Sequence, residues 1–147
     1  MTKQVEHRAA IILVADDVEE TRDGIERLLK ADGYRVSAAR SEQDAVERAE
    51  RQAPDLILVS LSGSSDDAIA SAVRIRRLAG LGDEVPVVIF CVQTVDEGAE
   101  VALGTNVYIT RPDNFDQLRG LLGRLLSGLP LSGSRSRLPR TGDQTPP

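Results

Sequence analysis

Ala10-Ile11-Ile12-Leu13-Val14-Ala15-Asp16-Asp17 is a run of six apolar residues that ends in two carboxylates. A short continuous apolar run rich in Ile and Val reads as a strand buried on both faces, as in a parallel sheet covered by helices. From about Glu19 to Ala31 the period changes. Ile25, Leu28 and Leu29 fall at i, i+3 and i+4, and Gly33 stands where a helix stops. A weaker strand is expected at Tyr34–Ala39. Ser41, with an acid three residues on at Asp44, opens a second helix that turns Ala45, Val46 and Ala49 inward and stops before Pro54. Leu56–Val59 reads as the third strand, and the Gly/Ser-rich stretch from Ser60 to Asp67 as a loop. The next helix, from about Asp67 to Leu78, buries Ile69, Ala72, Val73 and Ile75 and leaves Arg74, Arg76 and Arg77 to solvent. Gly80, Gly82 and Pro86 lead into a fourth strand, Val87–Val92. A short helix, Asp96–Leu103, is closed by Gly104, and Val107–Thr110 is the fifth strand. After Pro112, Asp113 or Asn114 caps a last helix with Phe115, Leu118, Leu122 and Leu125 on one stripe. Five such strand–helix units in about 120 residues predict an α/β fold, a doubly wound five-stranded parallel sheet of order 2-1-3-4-5 with helices on both faces.

The 147 residues allow one ordinary domain. Its expected limits are 10–126, after a polar leader (1–9) and before a Ser/Arg/Pro tail (127–147) too poor in apolar residues to order itself. Charge divides the same way: 15 Lys and Arg against 22 Asp and Glu up to Ser127, then three Arg and one Asp. An acidic domain with only four aromatic residues is a poor nucleic-acid binder. The Arg74, Arg76, Arg77 cluster is too short a stripe to reverse that expectation. The early apolar run falls far short of the ~20 residues that span a bilayer and has no signal-peptide flanks, so no membrane contact and a cytoplasmic location are expected. His7 is the only histidine and Cys91 the only cysteine. Ser-His and Cys-His catalysis, multi-Cys zinc sites and internal disulfides are thereby excluded, and the chain is not expected to be an enzyme.

In an open α/β sheet, ligands bind beyond the carboxyl ends of the strands. The residues expected there are Asp16 and Asp17, Ser60, Cys91 and Arg111. No Gly-rich phosphate loop follows the first strand, and Asp16-Asp17-Val18-Glu19-Glu20 would repel a phosphate. Taken in order, Ile12-Leu13-Val14-Ala15-Asp16-Asp17, Pro54-Asp55-Leu56-Ile57-Leu58-Val59-Ser60, Pro86-Val87-Val88-Ile89-Phe90-Cys91 and Tyr108-Ile109-Thr110-Arg111-Pro112 resemble the landmarks of the receiver domain of bacterial two-component response regulators, the CheY-like superfamily with a flavodoxin-like fold. The resemblance implies an acidic pair that binds Mg²⁺ and an aspartate ending the third strand that takes phosphate from a histidine kinase. It also implies a Thr or Ser ending the fourth strand that contacts the phosphoryl group, and a Lys before Pro on the fifth that pairs with it.

The acidic pair is present as Asp16 and Asp17. The acceptor position holds Ser60, the Thr/Ser position Cys91 and the Lys position Arg111. An ionised carboxylate attacks phosphorus without a base and gives a labile acyl phosphate, whereas a serine needs a base and gives a stable ester. Ser60 is therefore not expected to be phosphorylated. Two carboxylates in place of three weaken Mg²⁺ at Asp16 and Asp17, and Arg111 could bridge the pair in the metal's place; no other cofactor is expected. A redox sensor needs a lowered thiol pKa, which acids expected beside Cys91 would not supply, so a buried filler is the expected role. Tyr108 falls where receivers carry a rotating aromatic, and without phosphate it is expected to rest in one rotamer. The reading is a stand-alone atypical receiver, a pseudo-receiver. It would bind a protein partner, a histidine kinase or a downstream effector, without phosphorylation, through the surface of the fourth helix, fifth strand and fifth helix. Alternatives are a kinase-docking receiver that competes for phosphotransfer and a small flavodoxin-like ligand-binding protein.

Overall fold

In the computed structural model, which describes residues 9–61, 64–90, 96–112 and 114–127, the opening apolar run forms β1 (Ile11–Asp16), buried along its whole length. The chain continues as α1 (Glu19–Ala31), β2 (Arg35–Ala39), α2 (Glu42–Arg51), β3 (Leu56–Ser60), α3 (Ser65–Leu78), β4 (Val87–Phe90), β5 (Glu100–Gly104), β6 (Val107–Thr110) and α4 (Phe115–Ser127). The sheet order is β2-β1-β3-β4-β6-β5, with β5 antiparallel at one edge and every other pairing parallel. The five parallel strands keep the expected doubly wound order, and β5 is an addition to it.

Strand alternation builds one core on each face. Leu13, Ile57, Val59 and Ile89 pack with Ala45 and Ala49 of α2 and Ala72 and Ile75 of α3. Ile12, Val14, Leu58 and Val88 pack with Ile25 and Leu29 of α1 and Leu118 and Leu122 of α4. Each Leu or Ile so buried contributes about 1.5–3 kcal/mol of transfer free energy, which makes the two cores the main support of the fold. Leu28, expected inward, lies at the margin of the α1 stripe and is exposed. Two helix starts are fixed by the residues that suggested them: Ser41 Oγ accepts from Asp44 N–H at 3.1 Å and Asn114 Oδ1 from Gln117 N–H at 2.9 Å. α3 begins two residues before the expected Asp67, capped by Ser64, whose Oγ accepts from Asp67 N–H at 3.1 Å. Gly33, at φ +97°, supplies the left-handed residue beyond the end of α1. Across the surface, Arg119 of α4 holds Asp32, at the end of α1, with two bonds of 2.7 and 2.8 Å.

Two expectations are corrected. The segment read as a helix over Asp96–Leu103 becomes a turn followed by β5. Gly98 sits at φ +86°, and the Ala99 carbonyl accepts from Arg111 N–H and Thr110 Oγ1, so it is not free to bond a helical N–H four residues on. Gln117 Nε2 fastens the Gly98 carbonyl at 2.6 Å. The expected five-stranded sheet thereby gains a sixth strand. The second correction concerns Arg76, which is 6% exposed. Its guanidinium donates to the carbonyls of Val85 and Thr105, each at 3.0 Å, and more distantly to Asn106, tying together the two turns at the amino ends of β4 and β6. Among the described residues no helix is long and apolar enough to cross a membrane.

Candidate functional site at the carboxyl ends of the strands

β1 and β3 run parallel, in a register that sets Asp16 beside Ser60. Residues paired in this way share a sheet face. Ile12 and Val14 belong to the α1–α4 core, so the period of two carries Asp16 to that face. Asp16 is 1% exposed. Its Oδ1 accepts from Val18 N–H at 2.8 Å, and its backbone carbonyl accepts from Arg22 Nη1 at 2.9 Å. Its Oδ2 is buried with no hydrogen-bond partner. Burial pushes the Asp16 carboxyl above the usual aspartate range. The Val18 N–H works against that rise, the Asp17 charge adds to it, and the Arg22 charge again opposes it.

Asp17 is exposed and lines a cleft of about 420 Å³ together with Arg40, Ser41, Glu42, Asp67 and Arg74. Glu42, at the start of α2, is held from α3. Arg74 donates Nη2 to Oε1 at 2.6 Å and Nε to Oε2, and Ser71 Oγ donates to Oε1 at 2.7 Å. The Arg74 bonds hold the Glu42 carboxyl below the usual glutamate range; burial opposes them and Ser71 assists. The cleft wall is thus a closed ion pair bridging two helices, and Arg74, expected largely in solvent, is half of it.

The acidic pair and Ser60 are therefore brought to one end of the sheet, as their positions implied. Arg111 is half-buried, and its backbone extends the pairing of the β5–β6 hairpin: its N–H donates to Ala99 and its carbonyl accepts from Gly98. The expected ion pair between Arg111 and Asp16 is not formed among the described residues; Arg22 is the cation beside Asp16. Arg22 was not foreseen, although its place in the first turn of α1, six residues beyond Asp16, allows it to reach back to the end of β1. Tyr108 donates its hydroxyl to Asn106 Oδ1 at 3.0 Å, and Asn106 Nδ2 in turn holds the carbonyls of Asp83 and Glu84. Its ring tip is thus tied to the turn that precedes β6, away from Asp16. Cys91 and the loop residues 62 and 63 lie outside the described residues, as do residues 128–147 of the tail.

Mg²⁺ is the ion the resemblance would bring here, and the donors do not fit it. Asp16 is turned into the α1–α4 face, Asp17 lines the cleft beside α2 and α3, and the neighbour of Asp16 on β3 is an alcohol. No group of three or more Asp, Glu, His or Cys side chains suited to a metal ion occurs among the described residues. A hard dication that demands octahedral oxygen ligands finds one buried carboxylate oxygen and no converging set around it.

The family profile of the response regulator receiver domain matches residues 12–122. The chain belongs to that family. Among curated relatives, this receiver is 31% identical over 118 residues to the transcriptional regulatory protein ZraR of Escherichia coli (strain K12), covering 79% of this chain and 26% of ZraR. It is 30% identical over 103 residues to an uncharacterised 14.6 kDa protein of Leptolyngbya boryana, covering 69% of this chain and 78% of that one. It spans about a quarter of ZraR and half of the response regulator MprA of Mycobacterium tuberculosis. Among solved structures, the receiver domain of the hybrid histidine kinase CckA superposes with a TM-score of 0.59 at 23% identity, over 79% of this chain and 98% of that domain. Chemotaxis protein CheY4 of Vibrio cholerae gives 0.59 at 17% identity, over 80% and 98%. These likenesses carry the fold, a parallel sheet flanked by helices, and the family carries the general role of a receiver in two-component signalling.

Proposed function

We propose that this receiver works in two-component signal transduction as a protein-interaction module that does not depend on phosphorylation. The observation that carries the reading is the register of β1 and β3, which sets an alcohol, Ser60, beside the buried carboxylate of Asp16 where a phosphate-accepting receiver needs a second carboxylate. Ser60 would have to lose a proton to attack. The one histidine, His7, lies far along the sequence, and Asp16 and Asp17 do not converge with Ser60 on a metal ion that could neutralise an incoming phosphoryl group. On this reading the chain is not an enzyme and sits in the cytoplasm, where its protein partner, a histidine kinase or a downstream effector, is found. The surface available to that partner differs from the expected one. The edge that would carry a fourth helix carries β5, so the face is formed by β5, β6 and α4.

The test is phosphorylation with acetyl phosphate and Mg²⁺, followed by intact-protein mass spectrometry. The parent is expected to gain no hydroxylamine-labile phosphate, and a stoichiometric labile adduct would overturn the proposal. Ser60→Asp supplies the absent nucleophile. It is expected to leave labelling at least about tenfold below that of a labelled receiver run beside it, because Asp16 and Asp17 still fail to assemble a Mg²⁺ centre.

A further inference from the structure

The cleft between the starts of α2 and α3 is lined by neither Ser60 nor Asp16. Its volume of about 420 Å³ lies within the range of small-molecule sites, and its walls are fixed in advance. Glu42 of α2 is gripped from α3 by both Arg74 and Ser71, and Ser71 is itself only 7% exposed. This bridge neutralises one cation and one anion of the lining. Asp17, a further anion of the lining, is engaged in an interaction of its own. Two charges are left over among the described residues. Arg40 is exposed, and its backbone N–H is bonded to Asp44 Oδ2 while its guanidinium makes no hydrogen bond or ion pair. Asp44, which feels the Arg40 charge, is paired with Arg48 instead. Asp67 is exposed as well, and its carboxylate has no partner although its N–H is bonded to Ser64. The same lining carries a small apolar patch made by Leu61, Ala68 and Ala70.

We propose that this cleft binds a small zwitterion, a free α-amino acid with an aliphatic side chain, whose carboxylate pairs with Arg40 and whose ammonium pairs with Asp67. The uncommitted charges of the lining are one cation and one anion, and that pairing selects the ligand. A simple anion meets an attraction at Arg40 and a repulsion at Asp67, and a simple cation meets the reverse, whereas a zwitterion satisfies both. Ser41 stands next to Arg40; its Oγ accepts from Asp44 N–H and keeps its own O–H for a carboxylate. The patch of Leu61, Ala68 and Ala70 suits an aliphatic side chain better than a charged one. Because the Glu42, Arg74 and Ser71 bridge already holds α2 to α3, binding requires little ordering of the walls. Arg40 and Asp67 are solvated in the free protein, so each new ion pair is weak and the expected Kd is about 1–10 mM. Binding of this kind would supply an input other than phosphate. Its test does not involve Ser60, so its failure would be distinguishable from failure of the proposed function.

Titration of the ¹⁵N-labelled full-length chain with L-leucine, followed through its amide chemical shifts, tests this. Saturable shifts are expected at residues 40–44 and 67–71. Two analogues separate the charges: 4-methylpentanoate is leucine without its ammonium, and isoamylamine is leucine without its carboxylate. Each is expected to bind at least about fivefold more weakly than leucine, and leucine itself to bind Arg40→Gln and Asp67→Asn more weakly by a similar factor. The absence of saturable shifts with L-leucine up to about 50 mM overturns the proposal, since that is several times the weakest expected Kd. So does equal binding of leucine and either analogue, or undiminished affinity in either variant, because the two charges would then not be what the cleft reads.

Discussion

Asp16 places a carboxylate in the core with one oxygen bonded to Val18 N–H and the other to nothing. The native form holds its proton more tightly than the unfolded chain does. Stability is therefore greatest below the unfolded value near 3.8 and declines as pH rises through the window up to the higher native pKa. Asp16→Asn keeps the acceptor for Val18 N–H and removes the buried charge. Thermal unfolding of this variant is expected to show a Tm about 3–8 °C above the parent at pH 7, with the two curves meeting below about pH 4. A lower Tm at pH 7 would refute the assignment. Glu42 has the opposite sign. Its carboxyl is held low by Arg74, so its contribution is present above the unfolded value near 4.5 and is lost as pH falls through the native one. Glu42→Gln is accordingly expected to lower the Tm at neutral pH and to converge with the parent in acid. At this scale the sequence was legible where strand geometry dictates position. Asp16, Asp17 and Ser60 follow directly on buried strands, and so end up at one end of the sheet. The partners that decide their chemistry were less legible, since Arg22 and Arg74 reach their acceptors through side-chain conformations that no periodicity encodes.

Among the elements, the helices and parallel strands follow their hydrophobic periods and caps closely, and the exception lies between Asp96 and Gly104. Ala99, Ala102 and Leu103 suit a helical period, while Val101 and Leu103 suit a strand period, and a run so short satisfies both. The decision comes from outside the run, from Thr110, Arg111 and Gln117, which take up the carbonyls of Gly98 and Ala99. Gly98→Ala forces a side chain into a left-handed conformation, at a cost of about 1–2 kcal/mol, and should speed exchange across Glu100–Gly104 before the parallel strands are affected. Arg76 shows a second way in which elements join. A helix face that reads as three exposed arginines sends one of them inward, because β4 and β6 are entered through turns whose carbonyls need donors. Arg76→Met keeps much of the packing and removes the donors. Urea unfolding is expected to show a loss of about 2–4 kcal/mol, and Arg76→Lys should recover only part of it because a single ammonium cannot reproduce the fork.

The whole molecule rests on two cores separated by one buried sheet, and β1, β3 and β4 contribute to both. Damage on either face should therefore be felt by all of it. Leu122→Ala, at a side chain with no exposure, is expected to cost about 2–5 kcal/mol and to leave a single urea transition, seen at the same midpoint by far-UV circular dichroism and by tyrosine fluorescence. Two separated transitions would mean that α4 docks independently. The architecture at this scale was almost fully legible, because apolar runs alternating with helical periods admit few topologies once crossovers are right-handed. The sixth strand was not legible, since it shares no core and its composition alone does not oppose a helix.

The position of β6 bears on how the sheet assembles. β6 lies between β4 and β5, yet the chain reaches β5 first, so the molecule lays down its outermost strand and then turns back to fill the gap. The turn is short, with Asn106 in the left-handed conformation at φ +59°, and hairpins of this kind close in about 1–10 μs. β5 and β6 can consequently meet β4 as a preformed pair. The final parallel strand then enters the sheet with one flank already bonded, and the remaining delay in folding belongs to the distant parallel pairings of β1 with β2 and β3.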